Sequence, residues 1–114
     1  MNDLVQRLST GVHPIEAGLR PDRTPTALKE CIDRGYVHVR FTGTRGGTEL
    51  GVPIDRERSQ LTADFEQGVG QVTIVGDLTL DFVRVRCHAE LDLQTLSGNG
   101  RLEPLTASGS GPQN

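Results

Sequence analysis

The spacing of apolar residues divides the chain into a helical first third and a β-rich remainder. In 1–35 apolar side chains recur three and four positions apart, as Leu4, Val5 and Leu8 do, and this spacing gathers them on one side of an α-helix. In 36–105 the spacing changes to two, which places alternate side chains on opposite faces of a strand. The pattern therefore predicts short N-terminal helices followed by a sheet.

The clearest helix signal covers 25–34. Thr24 offers a hydroxyl that can cap the first turn, and Pro25 follows at the first helical position, where its missing N–H is not needed. Gly35 stands where a helix ends in a left-handed residue. The helix has a single apolar stripe, formed by Leu28, Cys31 and Ile32. Ten residues do not form a stable helix alone in water, so this one must dock on the rest of the domain.

The first predicted hairpin follows directly. Alternation over 36–41 indicates a strand with one apolar face, and the glycines of 43–47 suit a tight reversal. Alternation returns over 50–54, but Pro53 cannot donate a ladder hydrogen bond. Because of this proline, the second strand is expected at a sheet edge or at a strand end.

The second half has a strong strand signal with ambiguous turns. The segment 55–70 permits either one or two helical turns or an irregular strand, and its pattern does not decide between them. Strand alternation begins at 71. Gly76-Asp77 and Asn99-Gly100 are turn-favouring dipeptides, so we expect turns there, the second leading to a last strand over 101–105.

One irregularity interrupts the long apolar run that follows residue 77. The apolar positions are even up to Phe82 and odd from Val83 onward. A continuous strand cannot change parity without turning its apolar face over. We therefore predict a bulge or bend between these two residues, with Phe82 on a strand and in the core.

These elements define an α+β fold. We expect N-terminal short helices packed on a curved antiparallel sheet of about five or six strands, with a barrel-like form as one outcome. The single domain covers 1–105, helical over 1–35 and β-rich over 36–105. The Ser- and Gly-rich tail 106–114 is expected to be disordered.

The amino-acid composition also predicts a small hydrophobic core. The chain has 114 residues, enough for one domain, and only four aromatic side chains. Burial must therefore come from Leu, Val and Ile, against the conformational entropy of ordering more than 100 residues. A homodimer or a stable complex with a partner protein would bury more surface, so we expect one of the two.

Charge and cysteine content indicate which partners and which cellular compartment to expect. The net charge is −3 with no basic block, which argues against nucleic-acid binding. Arg is eleven of the twelve basic residues, as in proteins of GC-rich bacterial genomes. Neither a signal peptide nor an apolar run of membrane-spanning length is seen. Cys31 and Cys87 form no disulfide framework, so a reduced, cytoplasmic protein with no membrane contact is expected.

The outward positions of the predicted strands carry charged and imidazole side chains. They are His38, Arg40, Glu49, Arg84, Arg86, His88, Glu90 and Asp92. The last five alternate along one strand and would form a charged ribbon about 26 Å long. Such a face is typical of the solvated surface of an antiparallel sheet. Alternatively, it lines a pocket or an interface.

A polar pocket would permit acid–base catalysis, because imidazole titrates near neutral pH. The candidate catalytic residues are His38, His88, Glu90 and Arg86. The candidate ligand-binding residues are Arg40, Glu49, Arg84 and, in the glycine-rich loop, Arg45. No spacing typical of a metal site occurs, and no cofactor motif is present, so neither a metal nor a cofactor is expected.

Three functions remain open from the residues alone. The first is a small accessory or binding protein that acts on a partner protein or a small-molecule ligand. The second is a small acid–base enzyme of the isomerase or cyclase type, so whether the chain is an enzyme stays undecided. The third is weak binding of an anion or nucleic acid through arginines, which the net negative charge disfavours.

Overall fold

A computed structural model describes residues 3–19, 23–44, 46–80 and 82–105. The predicted tail 106–114 lies outside the described residues. The elements in chain order are α1 (Asp3–Ser9), β1 (His13–Ala17), α2 (Pro25–Arg34), β2 (Tyr36–Phe41), β3 (Thr48–Pro53), β4 (Gln71–Leu80), β5 (Val83–Asp92) and β6 (Ser97–Pro104). The α+β prediction is confirmed: two short helices accompany a six-stranded antiparallel sheet.

The sheet is nearly closed into a barrel. Its strand order is β3-β2-β1-β6-β5-β4, with every neighbouring pair antiparallel. The two outer strands, β3 and β4, also approach each other. At the closest point the carbonyl of Pro53 lies directly over Gly76, where a Cβ atom would collide with it. The absence of a side chain at Gly76 therefore allows the two ends of the sheet to meet.

Alternate strand residues fill the interior. Phe41 is the largest fully buried side chain, and aliphatic residues from all six strands surround it. Both helices add to this core, α1 through Val5 and Leu8 and α2 through Leu28 and Ile32. Among the described residues no polar or charged side chain is buried, so the polar chemistry of the domain lies on its outer surface.

Helix α2 has the predicted bounds and caps. The Thr24 hydroxyl accepts a hydrogen bond from the Ala27 N–H at 3.0 Å, and Gly35 ends the helix with φ of 81°. Arg56 adds a cap that the pattern did not predict, because its guanidinium donates to the Ile32 carbonyl at 2.6 Å. This contact ties the segment after β3 to the end of the helix.

The undecided segment 55–70 forms neither a helix nor a regular strand. Its first part runs along the outer edge of β4, where the Asp55 N–H donates to the Val75 carbonyl at 2.8 Å. The Val75 N–H in turn donates to the Ser59 hydroxyl at 2.9 Å. Because these contacts satisfy edge groups of β4, the segment shields part of the sheet edge from pairing with another chain.

The expectation that 1–35 is only helical is wrong, because His13–Ala17 forms β1 between β2 and β6. Pro14 makes a strand unexpected at this place in the sequence, since proline is rare inside sheets. It is tolerated because it lies near the start of the strand, before the first residue paired with β2, which is Ile15 opposite Phe41. Its carbonyl still accepts a hydrogen bond from the Thr42 N–H at 3.1 Å.

Both predicted glycine turns are also wrong. Gly76 and Asp77 lie inside β4, and Asn99 and Gly100 lie inside β6. At both positions glycine lets another strand come close to the backbone, and the chain does not reverse direction there. A Cβ atom at Gly100 would stand 3.1 Å from methyl groups of Ile15 on the neighbouring strand.

Substitution of Gly76 tests how the sheet closes. We expect Gly76→Ala to lower the free energy of unfolding by about 3 kcal/mol, because the new methyl group must displace backbone of β3. Gly43→Ala is the matched control, since a Cβ atom there meets only ordinary contacts with Pro14. Urea denaturation of both variants measures the difference. Equal stabilities would contradict the closure described here.

Candidate functional site

The charged ribbon of β5 lies on the outer face of the sheet. Side-chain pairs join it to the neighbouring strands β4 and β6. Arg86 binds Asp77 of β4 through two hydrogen bonds, of 2.8 and 3.2 Å. On the other side, His88 Nε2 lies 3.0 Å from Glu103 Oε1 of β6. Register places these residues directly or diagonally opposite each other. Much of the ribbon therefore serves to connect strands.

The pairing changes the acidity of two carboxyl groups. A hydrogen bond from Arg86 lowers the pKa of Asp77, with further lowering by nearby arginine charges. A hydrogen bond from His88 likewise lowers the pKa of Glu103, as do the charges of His88, Arg101 and Arg86. In each case the neighbour favours the charged carboxylate. Both groups are thus held ionised, as expected of structural pairs and not of a proton donor.

A shallow depression of about 190 Å³ lies beside His88. The side chains around it include Val12, Thr73, His88, Glu90, Asn99 and Arg101. Among the described residues, neither Glu90 nor Arg101 has an ion-pair partner within 4.0 Å. The depression is therefore lined by one carboxylate and one guanidinium without ion pairs, beside an imidazole that already contacts Glu103.

The other candidate residues form a separate group on β2 and β3. His38 packs edge-on against the ring of Tyr36, with centroids 5.4 Å apart. Register places Arg40 opposite Glu49, and the guanidinium of Arg40 lies 4.0 Å from the carboxylate of Glu16 on β1. This group is a second set of cross-strand contacts on the outer face.

The structure does not bring the two groups together. His38 is on β2 and His88 on β5, with β1 and β6 between them. Three strand spacings correspond to about 14 Å along the sheet surface. His88, Glu90, Arg86 and Arg84 share β5, whereas His38, Arg40 and Glu49 stand apart from them. Arg45 lies outside the described residues.

The residue that most departs from expectation is Phe82, at the tip of the β4–β5 hairpin. Leu80 pairs with Val83, so the hairpin connection is two residues long, and Phe82 occupies it with φ of 69°. Its relative exposure is 102%. The prediction of a bulge or bend with Phe82 in the core is therefore wrong. The parity change marked a hairpin turn, but without the glycine that usually identifies one.

This conformation is unfavourable for a phenylalanine. Positive φ is uncommon for residues other than glycine and is a clear outlier for bulky side chains. The only other such residue in the described part of the chain is Leu96, and it is buried. Phe82 has no comparable burial to offset the strain. The residues that flank the two-residue connection, Leu80 and Val83, are half-buried and apolar.

Cys87 lies in the core, as its alternation with Val85 and Ala89 indicates. Burial raises the pKa of its thiol to about 12. The thiolate required for nucleophilic attack is therefore scarce at neutral pH. Cys31 is half-buried on α2, and the two cysteines are not bridged.

Comparison with known proteins adds no family to this description. The chain matches no protein-family model, and no curated protein is significantly similar to it. Among the described residues, no three metal-ligating side chains form a cluster that could hold an ion. No helix in the described ranges is both long and apolar enough to cross a bilayer.

The Asp77–Arg86 pair predicts a pH dependence of stability. The pKa of Asp77 lies below its unfolded value of about 3.9. Its carboxylate therefore stabilises the fold above about pH 4, and this contribution is lost as pH falls through the lowered pKa. We expect Asp77→Asn to lower the melting temperature at pH 7 and to flatten its decline between about pH 5 and pH 2.

Glu90→Gln is the matched control for this prediction, because Glu90 lies on the same face without an ion pair among the described residues. It should retain the acid-dependent decline of the unmodified chain. Thermal unfolding followed by circular dichroism gives all three profiles. If Asp77→Asn and the unmodified chain decline in parallel, the pair does not contribute to acid stability.

Proposed function

We propose that this chain is a small protein-binding domain that contacts its partner through the tip of the β4–β5 hairpin. The observation that carries the proposal is Phe82, which is fully exposed and has a positive φ. Exposed aromatic side chains that become buried on binding are typical anchors of protein interfaces. The half-buried apolar residues Leu80 and Val83 would extend the contact around it.

The backbone strain supports a binding role over an incidental one. A residue other than glycine in this region costs about 1–3 kcal/mol, and such outliers cluster at functional sites. Glycine or asparagine at position 82 would form the turn with less strain. A phenylalanine that neither relieves strain nor fills the core has no evident role in the folded monomer.

The acid–base alternative has weaker support. It rests on the depression beside His88, whose imidazole is engaged by Glu103. Three arginines, Arg23, Arg40 and Arg86, lie within ion-pair distance of carboxylates, which also weakens the anion-binding alternative. The binding-protein proposal includes a cytoplasmic location in a bacterial cell, consistent with two unbridged cysteines.

Replacement of Phe82 separates a binding role from a structural one. We expect Phe82→Gly and Phe82→Asn to raise the free energy of unfolding by about 1 kcal/mol, because the turn loses strain and no buried contact is removed. Leu96→Gly is the control. It also removes a positive φ but deletes a buried side chain, so it should destabilise the fold by about 2 kcal/mol or more. Urea unfolding measures all three. Destabilisation by Phe82→Gly would show that the ring supports the fold.

A photoreactive phenylalanine analogue tests the contact itself. Placed at position 82 in the source cells, it should cross-link a specific protein, because the ring would be buried in the interface. The same group at Tyr36, which is also partly exposed, should not capture that protein. The purified partner should bind Phe82→Gly at least about tenfold more weakly. Equal binding by the variant, or no product specific to position 82, would refute the proposal.

A further inference from the structure

We infer that the partner protein adds an extended strand to the free edge of β4, beside the tip that carries Phe82. This inference rests on the proposed function and states how the partner is held. The free edge consists of the backbone N–H and C=O groups of Asp77 and Thr79. An extended strand supplies the donors and acceptors that such an edge lacks, and strand addition of this kind is a common mode of peptide recognition.

The register of the hairpin fixes the direction of these backbone groups. The N–H and the carbonyl of Val75 both bond to the segment 55–59, so both point away from β5. The pairing of β4 with β5 continues without a bulge to the tip, and backbone groups along a strand change direction at every residue. Asp77 and Thr79 therefore present their backbone groups on the same side as Val75.

This part of the edge is not paired within the described chain. Residues 55–60 cover the edge only as far as Val75. Beyond it no described strand bridges β4, because β3 and β4 stand at opposite ends of the strand order. The described loops and turns form no backbone hydrogen bond with Asp77 or Thr79. Thr79 is exposed, so an incoming strand can reach it.

A second copy of the chain fits this edge poorly. If Asp77 of one copy paired antiparallel with Thr79 of the other, each Phe82 would come to the level of position 74. Residues 55–60 already occupy the edge there, so the tips would collide with them. We therefore assign the edge to a strand of a different protein.

The side chains of β4 define the sequence class of that strand. Leu78 and Leu80 belong to the core or pack against it, whereas the residues between them face outward. Directly opposed residues of paired strands point to the same face, so we expect the partner strand to alternate apolar and polar side chains. Formal charge adds no preference at the tip, because Asp81 and Arg84 are opposite in sign.

The edge and the ring contribute to affinity together. Two residues offer two N–H donors and two carbonyl acceptors, and each hydrogen bond exchanged with water stabilises a complex only slightly. Phe82 adds apolar area that so short an edge lacks. The short length of the free edge also limits indiscriminate pairing with other chains.

Hydrogen exchange of the free, full-length chain tests whether the edge is open. The amides of Asp77 and Thr79 should exchange at least about 100-fold faster than those of Gly76 and Leu78, whose N–H groups face β5. Two-dimensional NMR resolves the individual amides. Equal protection of all four would overturn the inference. Protection that disappears when 106–114 is deleted would also overturn it, because the occupant would then be the chain's own tail.

Proline at position 79 tests the contact with the partner. It removes the outward N–H without removing a bond to β5, and proline is tolerated on sheet edges. The probe is the protein that position 82 cross-links, after purification. We expect Thr79→Pro to bind it at least about tenfold more weakly than Thr79→Ala. The alanine variant is the matched control, since it also loses the bond from Arg84 but keeps the N–H. Equal binding by the two variants would overturn strand addition.

A second measurement needs no variant and does not depend on how proline affects the fold. When the same protein is added to the unmodified chain, exchange at Asp77 and Thr79 should slow by about tenfold or more. An interface confined to the tip would leave both rates unchanged.

The two proposals fail in different ways. If Phe82→Gly weakens binding while the amides of Asp77 and Thr79 keep their exchange rates, the inference of strand addition is wrong and the binding role of the tip stands. If position 82 captures no protein, both are wrong. Slower exchange at both amides together with weaker binding by Phe82→Gly supports both.

Discussion

The close approach of β3 to β4 at Gly76 is the constraint on which the rest of the structure depends. Because Gly76 has no side chain, the Pro53 carbonyl can lie over it. The sheet therefore closes with its apolar face inward. Closure divides the surface into a sealed aliphatic interior and a polar exterior, and it compensates for the shortage of aromatic residues in the core. It also fixes the β4–β5 hairpin, whose tip carries Phe82.

The polar exterior is then largely explained by strand pairing. Once the sheet is closed, alternate residues of β5 must face outward, and Arg86 and His88 find carboxylates on the strands to either side. The ionised state of Asp77 and Glu103 follows from these neighbours. The charged ribbon of β5 looks like a candidate active site in the sequence. In the folded chain most of its side chains form hydrogen bonds to side chains of the neighbouring strands. In the depression beside His88, Glu90 and Arg101 have no ion pair among the described residues.

How much the sequence could predict depended on whether a feature is local. Helix α2 was predicted to the residue, because its caps at Thr24 and Gly35 act within a few positions. Strand β2 was equally clear from its alternation. Gly76 and Gly100 were misassigned as turn residues, since their partners, Pro53 and Ile15, are distant in the chain. Glycine is favoured both where two strands come close together and where the chain reverses in a turn. Only the folded structure shows which of the two applies.

The candidate site was predicted less well for the same reason. His38 and His88 fall on the same outer face, as alternation indicates, but strand order separates them, and alternation carries no information on strand order. The partners Asp77 and Glu103 depend on register between strands. Phe82 was hidden by its type: an aromatic residue in phase with the apolar positions 78 and 80 predicts a core position, and only the parity change signalled otherwise. A sequence at odds with its local conformation is expected where function requires it.

The central claim is that the ring of Phe82 is exposed in the free chain and buried when the tip is bound. Fluorine NMR of a chain carrying 4-fluorophenylalanine at position 82 alone tests this most directly. At low concentration the resonance should shift between H₂O and D₂O, as an exposed ring does. When the protein that cross-links to position 82 is added, a second state without that solvent effect should grow. A resonance that is insensitive to solvent in the free chain would mean that the ring is buried in its own chain, and would contradict the account.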